Sequence, residues 1–197
     1  MAKRVGPNTE NLEQTRRLFL DLAEKEFNQY GYTKASTTRI VEASGMARGS
    51  LYYHFKDKQD MFRAVYIDIM EKTSSLLATR LGSISDPWDA FVKACEEYFN
   101  ICTSPDKSRI FLIESQTALP YEELHQVIAR TIRPVLTDSL SRLAARGDFD
   151  GRNKEMLAIF IFGALGESGR ILNVVSNREL AMEQFFETFI WAMKKLA

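Results

Sequence analysis

Histidine and cysteine are scarce, with two of each in 197 residues. His54 and His125 alone cannot assemble a multi-histidine metal cluster, so no metal site is expected. Cys95 and Cys102 stand seven apart on one helical pattern, about 10 Å along a helix axis and too far for a disulfide within it. The chain holds no CxxC pair, no glycine-rich phosphate loop and no nucleophile elbow. Catalysis therefore finds little support, and no cofactor is implied. The longest apolar run, Met156 to Leu165, falls far short of a membrane span. The opening stretch MAKRVGPNTE lacks the apolar segment of a secretory signal. These absences predict a reducing cytoplasm and no membrane partner. Net charge is zero, so bulk charge gives no reason to bind nucleic acid.

What is present is helical periodicity, with no strand-period alternation, internal repeat or low-complexity segment. A first helix is expected from about Thr9 to Tyr30, with Gly31 at its C-terminal cap. Ahead of it, Lys3 and Arg4 stand on a short arm. The stretch Ser36 to Lys58, STTRIVEASGMARGSLYYHFKDK, reads as two short helices around Gly45. Ile40, Val41 and Ala43 give the first an apolar face, and Leu51 and Phe55 give the second its inward side. Arg48, Gly49, Ser50, Tyr52, Tyr53 and His54 are left at the start or on the open faces. Such a pair of helices is the geometry that sets a second helix into the major groove of DNA. Charge is asymmetric in the same sense. Lys34, Arg39, Arg48, Lys56 and Lys58 face only Glu42 and Asp57, whereas residues 61 to 197 carry sixteen basic and eighteen acidic side chains.

GMARGSLYYHFKDKQDMF resembles the DNA-binding signature of TetR-family transcriptional regulators, over roughly residues 12 to 62. The resemblance implies that Thr37 and Thr38, with Arg39 adjacent, meet backbone phosphates at the start of the second helix. It aligns Arg48, Gly49, Ser50, Tyr52 and Tyr53 with the recognition helix. Arg48 is the best base reader, since guanidinium pairs in bidentate fashion with guanine. Gly49 permits close approach, Tyr53 suits a thymine methyl, and Tyr52 and His54 suit phosphates. Lys58, in the first turn of the next helix, is unfavourable on dipole grounds unless it meets a phosphate. One departure stands out: the family usually has Ser or Thr where this chain has Ala47, and a lost side-chain cap costs ~1 kcal/mol.

Downstream, Asp57 is expected to cap a helix reaching Leu81, with Phe62, Val65, Ile69, Thr73 and Leu76 on one stripe. Asp60 would reciprocate the cap. Gly82 to Asp86 is the clearest break, followed by Pro87 at the start of a helix that Thr103-Ser104-Pro105 ends. A shorter helix carries Ile110 to Glu114, and a long one runs from Tyr121 to Ala145 with Pro134 expected to kink or divide it. Phe91, Cys95, Tyr98, Phe99, Phe111 and Phe160 would line an apolar pocket, with Glu114 and Arg170 as charges among them. Plain core is the competing reading for each aromatic residue.

The segment Met156 to Leu165 is apolar all round, and such a helix must be covered all round. With the final helix, capped by a Ser176-to-Glu179 box, it would form a two-fold four-helix bundle between two copies. The predicted architecture is all-α. Residues 1–60 form a three-helix helix-turn-helix DNA-binding domain, and 61–197 a helical effector-binding and dimerisation domain. The expected partners are a double-stranded operator, a small and mostly apolar effector, and a second copy through helices at about 154–175 and 179–196. An effector-independent DNA-binding protein and a helical enzyme are the alternatives.

Overall fold

The computed structural model describes residues 7–104, 107–172 and 174–197; the arm with Lys3 and Arg4, and Pro105, lie outside them. Among the described residues all regular structure is helical. Helix α1 spans Pro7–Lys34, interrupted at Gly31, whose φ of 73° and ψ of 166° belong to no helix. Its buried Phe19, Ala23 and Phe27 form one wall of the amino-terminal part. Helix α2, Thr37–Ser44, starts under the Ser36 side chain, which accepts from the Arg39 N–H, and ends at left-handed Gly45. Helix α3, Arg48–His54, has no side-chain cap at Ala47, as the sequence implied. Leu51 and Phe55 are buried against α1.

Helix α4, Lys58–Leu81, joins this head to the body. Asp57 caps it by accepting from the Asp60 N–H, while Asp60 accepts from Lys56 N–H at 3.1 Å instead of closing a box on Asp57. Its stripe differs from the expected one by a single residue: Leu77 is buried and Leu76 exposed. Leu77 stands four residues on from buried Thr73, along the same inward face. Helix α5, Pro87–Thr103, opens on Asp86, which accepts from the N–H groups of Trp88 and Asp89.

A six-residue π-helix, Arg109–Glu114, runs directly into α6, Ser115–Ala118. The Ser115 N–H bonds Ile110 O, five residues back. Pro134 divides the expected long helix into α7, Tyr121–Arg130, and α8, Ile132–Arg146. The break falls at Thr131 because Pro134 cannot donate to the Arg130 carbonyl and its ring crowds that group. Ser74 of α4 donates to the exposed Thr131 carbonyl at 2.8 Å. Helix α9, Lys154–Leu172, is capped by Asn153, and α10, Arg178–Leu196, by Asn177. The expected Ser176–Glu179 box is absent, since Asn177 takes the Leu180 N–H.

Helices α5, α8 and α9 pack together as the body, and α4 lies across α1, α5 and α8. One buried cluster runs from Phe19 to Met193 through both parts.

Candidate nucleic-acid interface and effector cavity

The open side of α2 and α3 carries Thr38, Arg48, Gly49, Tyr52 and Tyr53, all exposed, with Thr37, Ser50 and His54 half-buried. Tyr53 is 71% exposed, extreme for a tyrosine with no visible cover. Arg48 reaches along its own helix to the Tyr52 hydroxyl at 3.4 Å and lies over that ring. Hydrogen bonds with Thr37, then Arg48, draw the Tyr52 phenol below its ordinary pKa. The Thr37–Tyr52 bond thereby ties the start of α2 to the middle of α3.

Two basic residues of the expected set are occupied inside the protein. Arg39 lies over the Tyr30 ring at 4.2 Å and grips Glu26, whose carboxylate also accepts the Ser36 N–H at 2.8 Å. Its guanidinium also donates to Lys34 O at 3.0 Å. Lys58 donates to the carbonyls of Tyr32, Thr33 and Ala35 at 2.9, 3.2 and 3.4 Å. That answers the dipole puzzle differently from the phosphate reading: the ammonium serves carbonyls at the end of α1. His54 packs by Phe19 and Tyr53. Burial, then the charge of Arg16, pulls its pKa below the usual histidine value. Lys34 and Lys56 are exposed. Lys56 follows the YYHF cluster directly, and its main-chain N–H goes to Asp60.

In the body, a cavity of about 360 Å³ opens between α4, the π-helix, α6 to α9 and α5. Of the expected pocket residues, Tyr98, Phe111 and Arg170 line it. The others go elsewhere. Phe91 packs on Trp88 and Phe149, and Phe99 on Phe185 and Phe186, as plain core. Cys95 is buried beside a void of about 10 Å³, too small for a ligand. Phe160 points outward, 55% exposed. Glu114 accepts the Tyr32 N–H at 2.8 Å and pairs with Arg109 at 3.2 Å, linking body to head. Arg109 also donates to the carbonyls of Asn28 and Gln29, each at 3.1 Å. Sequence periodicity missed Tyr66, His125, Arg133 and Phe162, because they come from four different helices and meet only in the folded chain.

Burial drives the thiols upward, Cys95 far and Cys102 to about 12, the latter against an opposing hydrogen bond from Tyr98. Both are therefore inert as thiolate nucleophiles. Among the described residues no group of three metal-ligating side chains occurs, and no helix is long and apolar enough to cross a membrane.

The fold and these two regions define a helix-turn-helix protein whose head is carried on a helical body with an internal cavity. Residues 19–65 match the family described as bacterial regulatory proteins, tetR family, and residues 88–195 match the tetracyclin repressor-like C-terminal domain. The chain belongs to the TetR family of bacterial regulators. It is 33% identical over 109 residues to the HTH-type transcriptional repressor Rv1474c of Mycobacterium tuberculosis, a match covering 51% of this chain and 58% of that one. The match thus spans little more than half of the mycobacterial repressor. Similarity to the regulator LmrA of Bacillus subtilis is 24% over 167 residues, 83% of this chain and 88% of that one. These relatives are named as regulators, not enzymes. A solved TetR-family regulator from Pectobacterium atrosepticum shares the fold with a TM-score of 0.79 at 21% identity, over 99% of this chain and 97% of that one. FadR of Bacillus subtilis, solved with stearoyl-CoA, gives 0.75 at 14%, over 88% and 97%.

Proposed function

We propose that the chain is a homodimeric transcriptional repressor that binds a near-palindromic operator and is released by a small effector held in the cavity. The observation that carries the reading is the exposed face of α3, where Arg48 joins no ion pair among the described residues, Tyr53 is exposed, and Tyr52 is bonded to Thr37 of α2. Arg48 reads a base edge, Tyr53 packs on a thymine methyl, and Thr37, Thr38, Ser50, Tyr52 and Lys56 address the backbone. Arg39, His54 and Lys58 hold the head together.

A single short helix contacts few base pairs, so two half-sites are needed. The second copy docks on α9 and α10, where Met156, Ile159, Phe160 and Trp191 are exposed. Two-fold pairing of these helices buries that patch.

Release works through α4 and the π-helix. Tyr66 of α4 and Phe111 of the π-helix face the cavity. The same α4 holds α1 through Lys58 and α6 through Gln59, which donates to Ala118 O at 2.7 Å. The same π-helix holds α1 through Glu114 and Arg109. An effector that favours a different packing of these walls moves the heads apart; one with equal affinity for both arrangements moves nothing. FadR of Bacillus subtilis, solved in complex with stearoyl-CoA, and RolR, solved in complex with resorcinol, support ligand binding by a protein of this fold.

The test is footprinting of the purified chain on genomic fragments with sedimentation in parallel. Paired half-sites protected by a dimer are expected. Monomers at micromolar concentration, or no protected site, would reject the reading.

A further inference from the structure

The wall of the cavity contains Arg133, Arg170 and His125 and no acidic side chain. Arg170 is matched already, since its Nε and Nη2 lie 2.8 and 2.7 Å from Glu167. Arg133 is not. Its Nε is buried without an acceptor, and it joins no ion pair among the described residues. It also stands in the first turn of α8, where the helix dipole opposes a cation. Lys58 has the same fault at the start of α4 and resolves it on three carbonyls. Arg133 has no such outlet among the described residues.

The remaining wall is aromatic. Tyr66 and Phe111 lie nearly parallel with centroids 6.2 Å apart, and Tyr98 meets Phe162 edge-on at 5.0 Å. A cavity of about 360 Å³ falls within the range of small-molecule sites, roughly 300–1,000 Å³. We propose that it takes an organic acid, with an aryl or alkyl body against these rings and a carboxylate on the Arg133 guanidinium. This rests on the cavity being the effector site and narrows the effector from apolar to amphiphilic and anionic. A carboxylate supplies the missing acceptor and the missing countercharge at once. A neutral amide of the same shape can offer a carbonyl oxygen to the guanidinium but supplies no countercharge.

The experiment is calorimetric titration of the full chain at neutral pH with two matched pairs, 2-naphthoate against 2-naphthamide and decanoate against decanamide. At least one acid binds about tenfold or more tightly than its amide, as expected for a charge-assisted bond in place of a neutral one. In Arg133→Gln that preference disappears while the amide binds as before, which also shows that the variant is folded. Equal affinity within both pairs, no binding by either acid, or a preference that survives Arg133→Gln overturns the assignment. Operator release, followed in the same samples, separates this result from the effector reading. Acid binding that leaves the operator complex intact sinks the effector role and keeps the acid site. Release by acids and amides alike keeps the effector role and sinks the acid site.

Discussion

Glu114 reaches 82 positions back along the chain to accept the main-chain N–H of Tyr32 at 2.8 Å. Between them Gly31 must be bare, because its φ is 73° and a Cβ there would collide with the Glu114 carboxylate and stand 2.8 Å from Arg109 Nη2. Gly31→Ala therefore suffers twice, from a backbone region nearly restricted to glycine, at about 1–3 kcal/mol, and from displacement of the link. Gly45→Ala has only the first handicap, since nothing lies near its Cβ position. Urea unfolding of the two variants should show the larger loss at Gly31; equal losses would mean the link contributes nothing.

Lys58→Met tests the carbonyl assignment. Removing the ammonium leaves carbonyls of Tyr32, Thr33 and Ala35 without a donor, so the melting temperature should fall. The slope of log affinity for operator DNA against log salt should stay where it was. Lys56→Met should reverse the pattern, with stability unchanged and the slope reduced by about 0.9 per protomer. A reduced slope in Lys58→Met would restore the phosphate contact that the sequence suggested.

Arg48→Ala removes a guanidinium that has no acidic partner among the described residues. Selection from random operators should show relaxed preference at one position in each half-site, with ~1–3 kcal/mol of discrimination lost there. An unchanged preferred sequence would take base reading away from Arg48.

His54 gives the head a dependence on acidity. Its folded pKa lies below the ordinary 6.5, chiefly through burial. The unfolded chain therefore takes up the proton first, so the stabilisation is complete above 6.5 and is lost as pH falls through the window beneath it. Melting temperatures measured at neutral pH and near pH 5 should drop more in the native chain than in His54→Gln. The same drop in both would exclude the imidazole as the cause.

Phe160→Glu combined with Trp191→Glu places charge on the exposed face of α9 and α10. By two-fold symmetry each charge enters the interface twice. Sedimentation should shift from dimer to monomer while helix content by circular dichroism is kept. A dimer that survives both changes docks elsewhere.

The helical framework was legible in the sequence because caps act locally. Ser36, Asp57 and Asp86 each bind an N–H two or three residues on, and the structure places helix starts there. Where two capping residues are adjacent, as at Ser176 and Asn177, local chemistry does not choose between them. Pro134 announced a break, but the exact residue depended on which carbonyl its ring obstructs and on Ser74 being at hand to satisfy Thr131. The exposure of Arg48, Gly49, Tyr52 and Tyr53 on α3 was readable, since it follows from helix geometry alone. Lys58 and Arg39 were not, because the carbonyls and the carboxylate that occupy them belong to another helix. The cavity was the least readable part. Phe99 and Phe111 look alike in sequence, and only the arrival of α10 over the first makes it core. Glu114 drew notice as a charge among apolar neighbours, yet its partners were a distant backbone N–H and Arg109; Arg133, next to the Pro134 break, joins Arg170 on the wall of the void.

The π-helix at Arg109–Glu114 holds one residue more than an α-helix of the same rise would need. That surplus residue turns the segment by about 100°, so that Phe111 and Leu112 meet the chamber while Arg109 and Glu114 grasp the end of α1. A deletion of a single amino acid here would not shorten a connection. It would rewind the coil to ordinary pitch and rotate one set of side chains relative to the other, so the wall of the cavity and the grip on α1 are joined at the level of helical phase.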